Sequence, residues 1–152
     1  RGGRIYRIWK LRSMVVDAEA RLETHLAADP AARAEWDATQ KLRSDPRITR
    51  FGHLIRRSSL DELPQLWNVL KGDMSLVGPR PMMPCQQQIY PGRAYYRLRP
   101  GITGPWQVSQ RNETTFAERA RFDAAYEREL SLATDLRLLA ATLRVVLRAT
   151  GC

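Results

Sequence analysis

No run of this chain approaches the ~18 consecutive apolar residues that cross a bilayer, and no signal peptide is visible. Nothing in the 152 residues is expected to span a membrane by itself. Cysteine is scarce: Cys85 and Cys152 lie far apart, which excludes a CxxC metal site and a disulfide framework and points to a reducing cytosol. Histidine is limited to His25 and His53, neither with a second His or Cys at ligand spacing, so both are read as surface or packing residues. Lysine is confined to Lys10, Lys41 and Lys71, against 22 arginines. There is no internal repeat and no low-complexity segment.

What is present fits one water-facing domain over residues 1–152, long enough to bury a core without disulfides. Hydrophobic residues make up 43% and charged residues 27%, a balance that excludes disorder and a wholly membrane-embedded chain. The net charge is +9. Arginine presents a planar fork of donors that matches phosphate and carboxylate oxygens, so the arginine bias points to anionic partners. A GC-rich genome produces the same bias without any function.

Along the chain, residues 4–11 alternate Ile5, Ile8 and Leu11 with basic residues and read as a short strand or extended lead-in. A helix is expected from Val16 to about Leu26. Asp29-Pro30, a capping acceptor followed by proline at the first helical position, announces a second that runs to about Leu42. The SDPRIT loop stops it. Residues 48–57 read as a short helix with Phe51, Leu54 and Ile55 on its buried side. Residues 62–70 read as another, ended at Lys71-Gly72. Pro64 must lie in the first turn of that helix because it has no N–H to donate, which puts the N-cap at Asp61 or later.

Residues 74–77 suggest a brief strand entering GPRP, and residues 98–108 a loop plus strand. A charged helix is expected over 114–130, and Ser131 then caps a last helix. Leu132, Leu136, Leu139, Leu143 and Leu147 form an apolar stripe on it, beside a basic stripe of Arg137, Arg144 and Arg148. Such a helix either lies on an anionic membrane surface or packs on its own core. Trp9, Trp36, Trp67 and Trp106 read as core or interface anchors. The expected class is α+β, helix-rich, with short strands and an extended GPRP/PGITG loop region.

Adjacent acids at a predicted helix start, Asp61 and Glu62, are the first feature with chemical content. The unpaired N–H groups and partial positive charge of a helix N-terminus favour a carboxylate there, which makes Asp61 a competent nucleophile; equally, Asp and Glu are simply favoured at helix starts. Arg56 and Arg57 precede the pair by about one helical turn, and Arg80 sits in the proline-braced GPRP. Three guanidinium groups are enough to neutralise a diphosphate, and phosphoryl transfer needs chiefly a positioned nucleophile and positive charge on the phosphoryl oxygens. A carboxylate beside Asp61 is a natural Mg²⁺ ligand.

The run SLDELPQLWNVLKGDMSLVGPRP resembles the signature of the bacterial sugar transferases, the monotopic phosphoglycosyl transferases of exopolysaccharide, O-antigen and N-glycan assembly. The likeness continues through RPGITGPWQVSQR and through Asp123, Tyr126, Ser131, Leu132 and Asp135, and YRIWKLRSM is similar to the family's opening YKFRSM segment, so nearly the whole chain is covered. The resemblance implies a two-step transfer. Asp61 attacks the sugar-linked phosphorus of a UDP-sugar and expels UMP; a polyprenyl (undecaprenyl) phosphate then takes the phosphosugar. It also implies Glu62 as the Mg²⁺-coordinating acid, Arg56 and Arg80 as phosphate contacts, and Lys10 as a further candidate. The setting implied is the cytoplasmic face of the bacterial inner membrane, with this stretch soluble or peripheral and a homo-oligomer left open.

Three departures stand out. The family's re-entrant membrane helix, which precedes the YKFRSM segment, is not expected within these 152 residues; Cys85 replaces a Glu found in many members; and Gln110 replaces the glycine of the usual NGR or SGR. Asp123 and Asp135 are read as helix-surface acids, with help in holding nucleotide or metal as the alternative. The competing readings are a basic nucleic-acid-binding module, unsupported by any zinc, RRM or KH signature so that no nucleic acid is expected, and a family member without catalysis that acts in assembly.

Overall fold

The computed structural model describes residues 2–109 and 114–147; Gln110, Arg148 and Cys152 lie outside them. The basic lead-in is extended, as one of the two expectations had it, because a single buried side chain clips it. Asn68 Oδ1 accepts from the Trp9 N–H at 3.0 Å, and its Nδ2 donates to the Arg7 carbonyl at 2.8 Å. Leu11 N–H then donates to the Asp61 carbonyl, and Met14 bridges antiparallel to Ile48. The start of the chain is thereby laid against the Asp61 turn.

Helices α1 (Ala18–Ala28) and α2 (Pro30–Thr39) meet at Asp29, whose carboxylate accepts from the N–H groups of Ala31 and Ala32. α2 ends before Leu42 because Gln40 adopts φ 57° and closes its N–H on the Trp36 carbonyl. Helix α3 (Arg50–Arg57) is capped by Thr49, whose hydroxyl accepts from Gly52 N–H at 2.9 Å. Its expected buried face is corrected: Phe51 and Leu54 are each 65% exposed, while Gly52 and Ile55 are buried. The reason is the lead-in, which presses on Gly52 so closely that a Cβ there would lie 1.9 Å from the Ser13 carbonyl oxygen. The packed face is therefore Gly52, Ile55 and Arg56, turned away from Phe51 and Leu54.

The expected single helix over 62–70 divides in two. Residues Leu60–Glu62 form a 3₁₀ turn and α4 spans Gln65–Leu70, with Pro64 at its N-cap position and no side-chain cap. Ser59 enters with φ 57°. Glu62 N–H then bonds Ser59 O and Leu63 N–H bonds Leu60 O, closing i→i+3 rings that stop at Pro64, which has no N–H. Asp61 is thus not a helix cap but lies inside the turn.

Strand β1 (Ser75–Val77) pairs in parallel with β2 (Gly101–Thr103), in the register Ser75 to Gly101 and Val77 to Thr103. Between them lie a 3₁₀ segment, Pro84–Ile89, and α5 (Ala94–Arg97). After β2 the chain does not continue as loop and strand: Pro105, at the first position, opens a short helix α6 (Pro105–Val108). Helix α7 (Arg119–Arg128) starts five residues later than expected, since the hydroxyl and N–H of Thr115 are occupied with Glu118. Helix α8 (Leu132–Leu147) is capped as expected, Ser131 Oγ accepting from Thr134 N–H.

Val77, Leu98 and Tyr126 form one core cluster, with Leu138 and Leu139 of α8 packed on it. Tyr90, Tyr95 and Phe116 form a second, aromatic one. Of the α8 stripe, only Leu139 among the described side chains meets the core; Leu132, Leu136 and Leu143 are exposed. The helix is apolar around more than half its circumference, and the side bearing Leu138, Leu139 and Thr142 turns to the sheet. Trp106 is buried and Trp9 and Trp67 are exposed. The helix-rich α+β expectation holds. Among the described residues no helix is long and apolar enough to cross a membrane.

Candidate active site

Asp61 is 3% exposed, its carboxylate turned inward by the 3₁₀ turn. The lead-in brings Lys10 to it: the ammonium lies 3.0 Å from Asp61 Oδ2 and 3.4 Å from Glu62 Oε1. Arg80 Nη2 reaches the same Glu62 oxygen at 3.3 Å. From α3, Arg56 Nε donates to Ser13 Oγ at 2.8 Å. Burial lowers the Arg56 pKa, opposed by the attraction of Asp61 and Asp45. These groups line one polar pocket of about 200 Å³. Arg57, the adjacent residue on α3, is exposed and does not line it. Exposed Cys85 does not line it either.

Three cations not singled out in the sequence complete the arrangement. Arg47 lines the pocket and holds Asp45 with two hydrogen bonds, Nε at 2.8 Å and Nη2 at 2.6 Å. Burial pushes the Asp45 carboxyl up, but the Arg47 bonds outweigh it and the net shift is down. Lys41 also lines the pocket, with its ammonium 4.5 Å from the centre of the Trp106 ring. Arg119 stands behind: its Nη2 donates to the Arg80 carbonyl, and its guanidinium lies 5.1 Å from the Trp106 ring and 4.9 Å from Phe116. Burial lowers its pKa to about 10, against the opposing pull of Asp123. The only sequence signal for Arg47 was the SDPRIT loop, where Asp45 and Arg47 flank a proline; Arg119 gave none.

Asp123 is corrected from a surface acid to a structural one. It is 1% exposed and accepts from the Tyr90 hydroxyl at 2.6 Å. Burial raises its pKa, against the Tyr90 bond and the Arg119 charge. Asp135, half-buried, accepts from the Tyr126 hydroxyl at 2.6 Å and so ties α7 to α8. Neither acid lines the polar pocket.

For a divalent metal the donor set is two neighbouring carboxylates, Asp61 and Glu62, and among the described residues no group of three ligating side chains forms. That set fits Mg²⁺, which takes one or two carboxylates and completes its octahedron with water and substrate phosphate oxygens. It does not fit a closed structural zinc site.

Residues 1–149 match the sequence model of a family described as bacterial sugar transferase. The UDP-galactose-lipid carrier transferase of Erwinia amylovora is 51% identical over 99% of this chain and 32% of its own length. The undecaprenyl-phosphate galactose phosphotransferase of Salmonella typhimurium is 49% identical over the same shares. The exopolysaccharide production protein ExoY of Sinorhizobium fredii is 41% identical over 98% of this chain and 67% of its own length. The chain thus spans about a third of the first two relatives. On the family match and these identities together, the chain belongs to the bacterial sugar transferase family.

Proposed function

We propose that this chain is the catalytic part of a phosphoglycosyl transferase that moves a phosphosugar from a UDP-sugar to a polyprenyl phosphate at the cytoplasmic face of the inner membrane. The observation that carries the reading is the convergence of Lys10, Arg56 and Arg80 on an adjacent acid pair within one pocket. Such a pocket suits a diphosphate: the arginine forks meet nonbridging oxygens and leave a carboxylate oxygen facing phosphorus.

In the first step an Asp61 carboxylate oxygen attacks the sugar-linked phosphorus. The P–O bond to the other phosphate breaks, and UMP leaves with the electron pair, needing no proton. In the second step a phosphate oxygen of the lipid attacks the same phosphorus, and the bond to Asp61 breaks to restore its carboxylate. Dividing the transfer in this way lets a soluble donor and a lipid acceptor use one site in turn. Lys10 and Arg80 hold the acids and take up phosphate charge, and Arg56 contributes a partly desolvated positive charge. Mg²⁺ on Glu62 would neutralise charge on the phosphoryl oxygens when bound. The relatives' names favour a hexose, galactose or glucose, as the sugar.

The test is intact mass spectrometry of the natural full-length protein incubated with UDP-sugars and no lipid. We expect an adduct of one phosphosugar that maps to Asp61, and loss of UMP release by at least ~10²-fold in Asp61→Asn. Undiminished turnover in that variant overturns the assignment.

A further inference from the structure

A second cavity, about 190 Å³, adjoins the polar pocket, and Ser59 and Glu62 belong to the walls of both. Its character is opposite. Its apolar lining is Leu63, Leu66, Ile102 and Val108, with Val145 and Val146 of α8. Where it opens, the apolar surface continues outward, Leu63 being 54% exposed, Leu66 45% and Val146 36%. Two of the hydroxyls that line it are committed: Thr103 and Thr142 bond each other at 2.7 Å, and Thr142 also bonds the Leu138 carbonyl. Gln107 is different. It is 7% exposed, and among the described residues neither its amide nitrogen nor its amide oxygen has a hydrogen-bond partner.

A buried amide without a partner is costly unless a ligand supplies one. Apolar walls with a polar group at one place demand an amphiphile, with a polar head and a hydrocarbon body. A free hexose meets this cleft badly, since most of its hydroxyls would face leucine and valine. We propose that the cleft is the seat of the lipid acceptor's first isoprene units, with the phosphate-bearing end at Glu62 and Gln107 and the chain leaving between Leu66 and Val146. The proposal rests on the transfer reading above and adds where the acceptor lies. A phosphate held by the cations of the polar pocket has its ester substituent at the shared Ser59–Glu62 wall, so the prenyl chain enters the cleft directly.

The two half-reactions separate this proposal from the reading beneath it. In the full-length protein, adduct formation from the UDP-sugar is followed by mass spectrometry without lipid, and transfer to undecaprenyl phosphate is then titrated in mixed micelles. Val145→Phe fills the cleft; Leu66→Gln and Val146→Gln, at partly exposed positions, make its mouth polar without threatening the fold. We expect each to raise the KM for undecaprenyl phosphate at least ~10-fold while the first-turnover rate of adduct formation stays within ~2-fold. An unchanged lipid KM in Leu66→Gln and Val146→Gln overturns the proposal, whether or not Val145→Phe folds. Equal loss of both half-reactions at an unaltered melting temperature also overturns it, by making the cleft the sugar's site. A wild-type protein that forms no adduct with any UDP-sugar defeats the transfer reading itself.

Discussion

Gly101→Ala is the sharpest test of how the fold holds the candidate site. The two strands bring the GPRP and PGITG loops together backbone to backbone: Gly78 N–H donates to the Thr103 carbonyl, and Gly101 N–H to the Pro79 carbonyl. A Cβ at Gly101 would stand 2.1 Å from Gly78 N, 2.5 Å from the Thr103 oxygen and 2.7 Å from Gly78 Cα. Ordinary contact begins at 3.4 Å, and every obstructing atom is backbone, so no rotamer change relieves the clash. The strands must part, at the upper end of overpacking costs, about 3 kcal/mol. For a chain of this size that lowers Tm by about 6–12 °C. Arg80 follows Gly78 by two residues, so parting the strands moves its guanidinium off Glu62, and a displacement near 1 Å costs about 10²-fold in rate. Gly72→Ala is the control: it has φ 80° but nothing within 4 Å, so only the left-handed backbone is penalised, by about 1 kcal/mol. Thermal unfolding by circular dichroism and UMP release read both quantities. Gly101→Ala with a Tm no lower than that of Gly72→Ala would refute the close-packing reasoning.

Two further outcomes follow from the same geometry. Because Asp61 and Glu62 supply the only acid pair facing Lys10 and Arg80 among the described residues, chelation of divalent metal with EDTA should abolish UMP release and Mg²⁺ should restore it; a rate indifferent to EDTA removes the metal role of Glu62. Asp45→Asn should cost about 2 kcal/mol at pH 7 by depriving Arg47 of a charged partner in a site where the two side chains are 5% and 12% exposed. The folded Asp45 carboxyl lies below its ordinary 3.8, so this stabilisation is complete above that value and disappears as pH falls through the folded one. Urea unfolding of both proteins at pH 7 and near pH 2 checks it: the difference should shrink in acid, and a difference independent of pH contradicts the ion-pair account.

What the sequence made legible was local chemistry. Asp29-Pro30 and Ser131 are read correctly because a cap is satisfied by N–H groups two or three residues away, and no distant partner can overrule it. Ser75–Val77 was legible for a similar reason, between the Gly72 turn and the rigid GPRP. Periodicity identified apolar faces but not what they meet: Phe51 and Leu54 share a helical face, yet the lead-in rests on Gly52, a residue with no hydropathy signal. On α8 the side turned to the core carries Leu138 and Leu139, of which only Leu139 belongs to the stripe legible in the sequence. The acid pair was found by its residue types; its inward turn depends on the positive φ of Ser59, a residue type that does not announce one. Arg47 and Arg119 escaped notice because 22 arginines make no single one informative until tertiary structure brings a few of them together, and Lys41 because its place in the pocket depends on contacts distant in sequence.

That gathering also separates site electrostatics from composition. The net +9 says only that anions are welcome somewhere on the surface. In the polar pocket five cations, Lys10, Lys41, Arg47, Arg56 and Arg80, face three carboxylates, Asp45, Asp61 and Glu62, which leaves a surplus of two positive charges. Asp45 is spent on Arg47. Two of the chain's three lysines stand here, although arginine replaces lysine almost everywhere else. Lys10 shows why the exchange would not be neutral: one compact ammonium touches an oxygen of each acid, at 3.0 and 3.4 Å, where a planar guanidinium would fork across both and cover more of the Asp61 carboxylate, to which the proposed transfer gives the attack on phosphorus. Positive charge in this pocket thus holds both acids through one small contact, an arrangement that suits the attack on phosphorus proposed for Asp61.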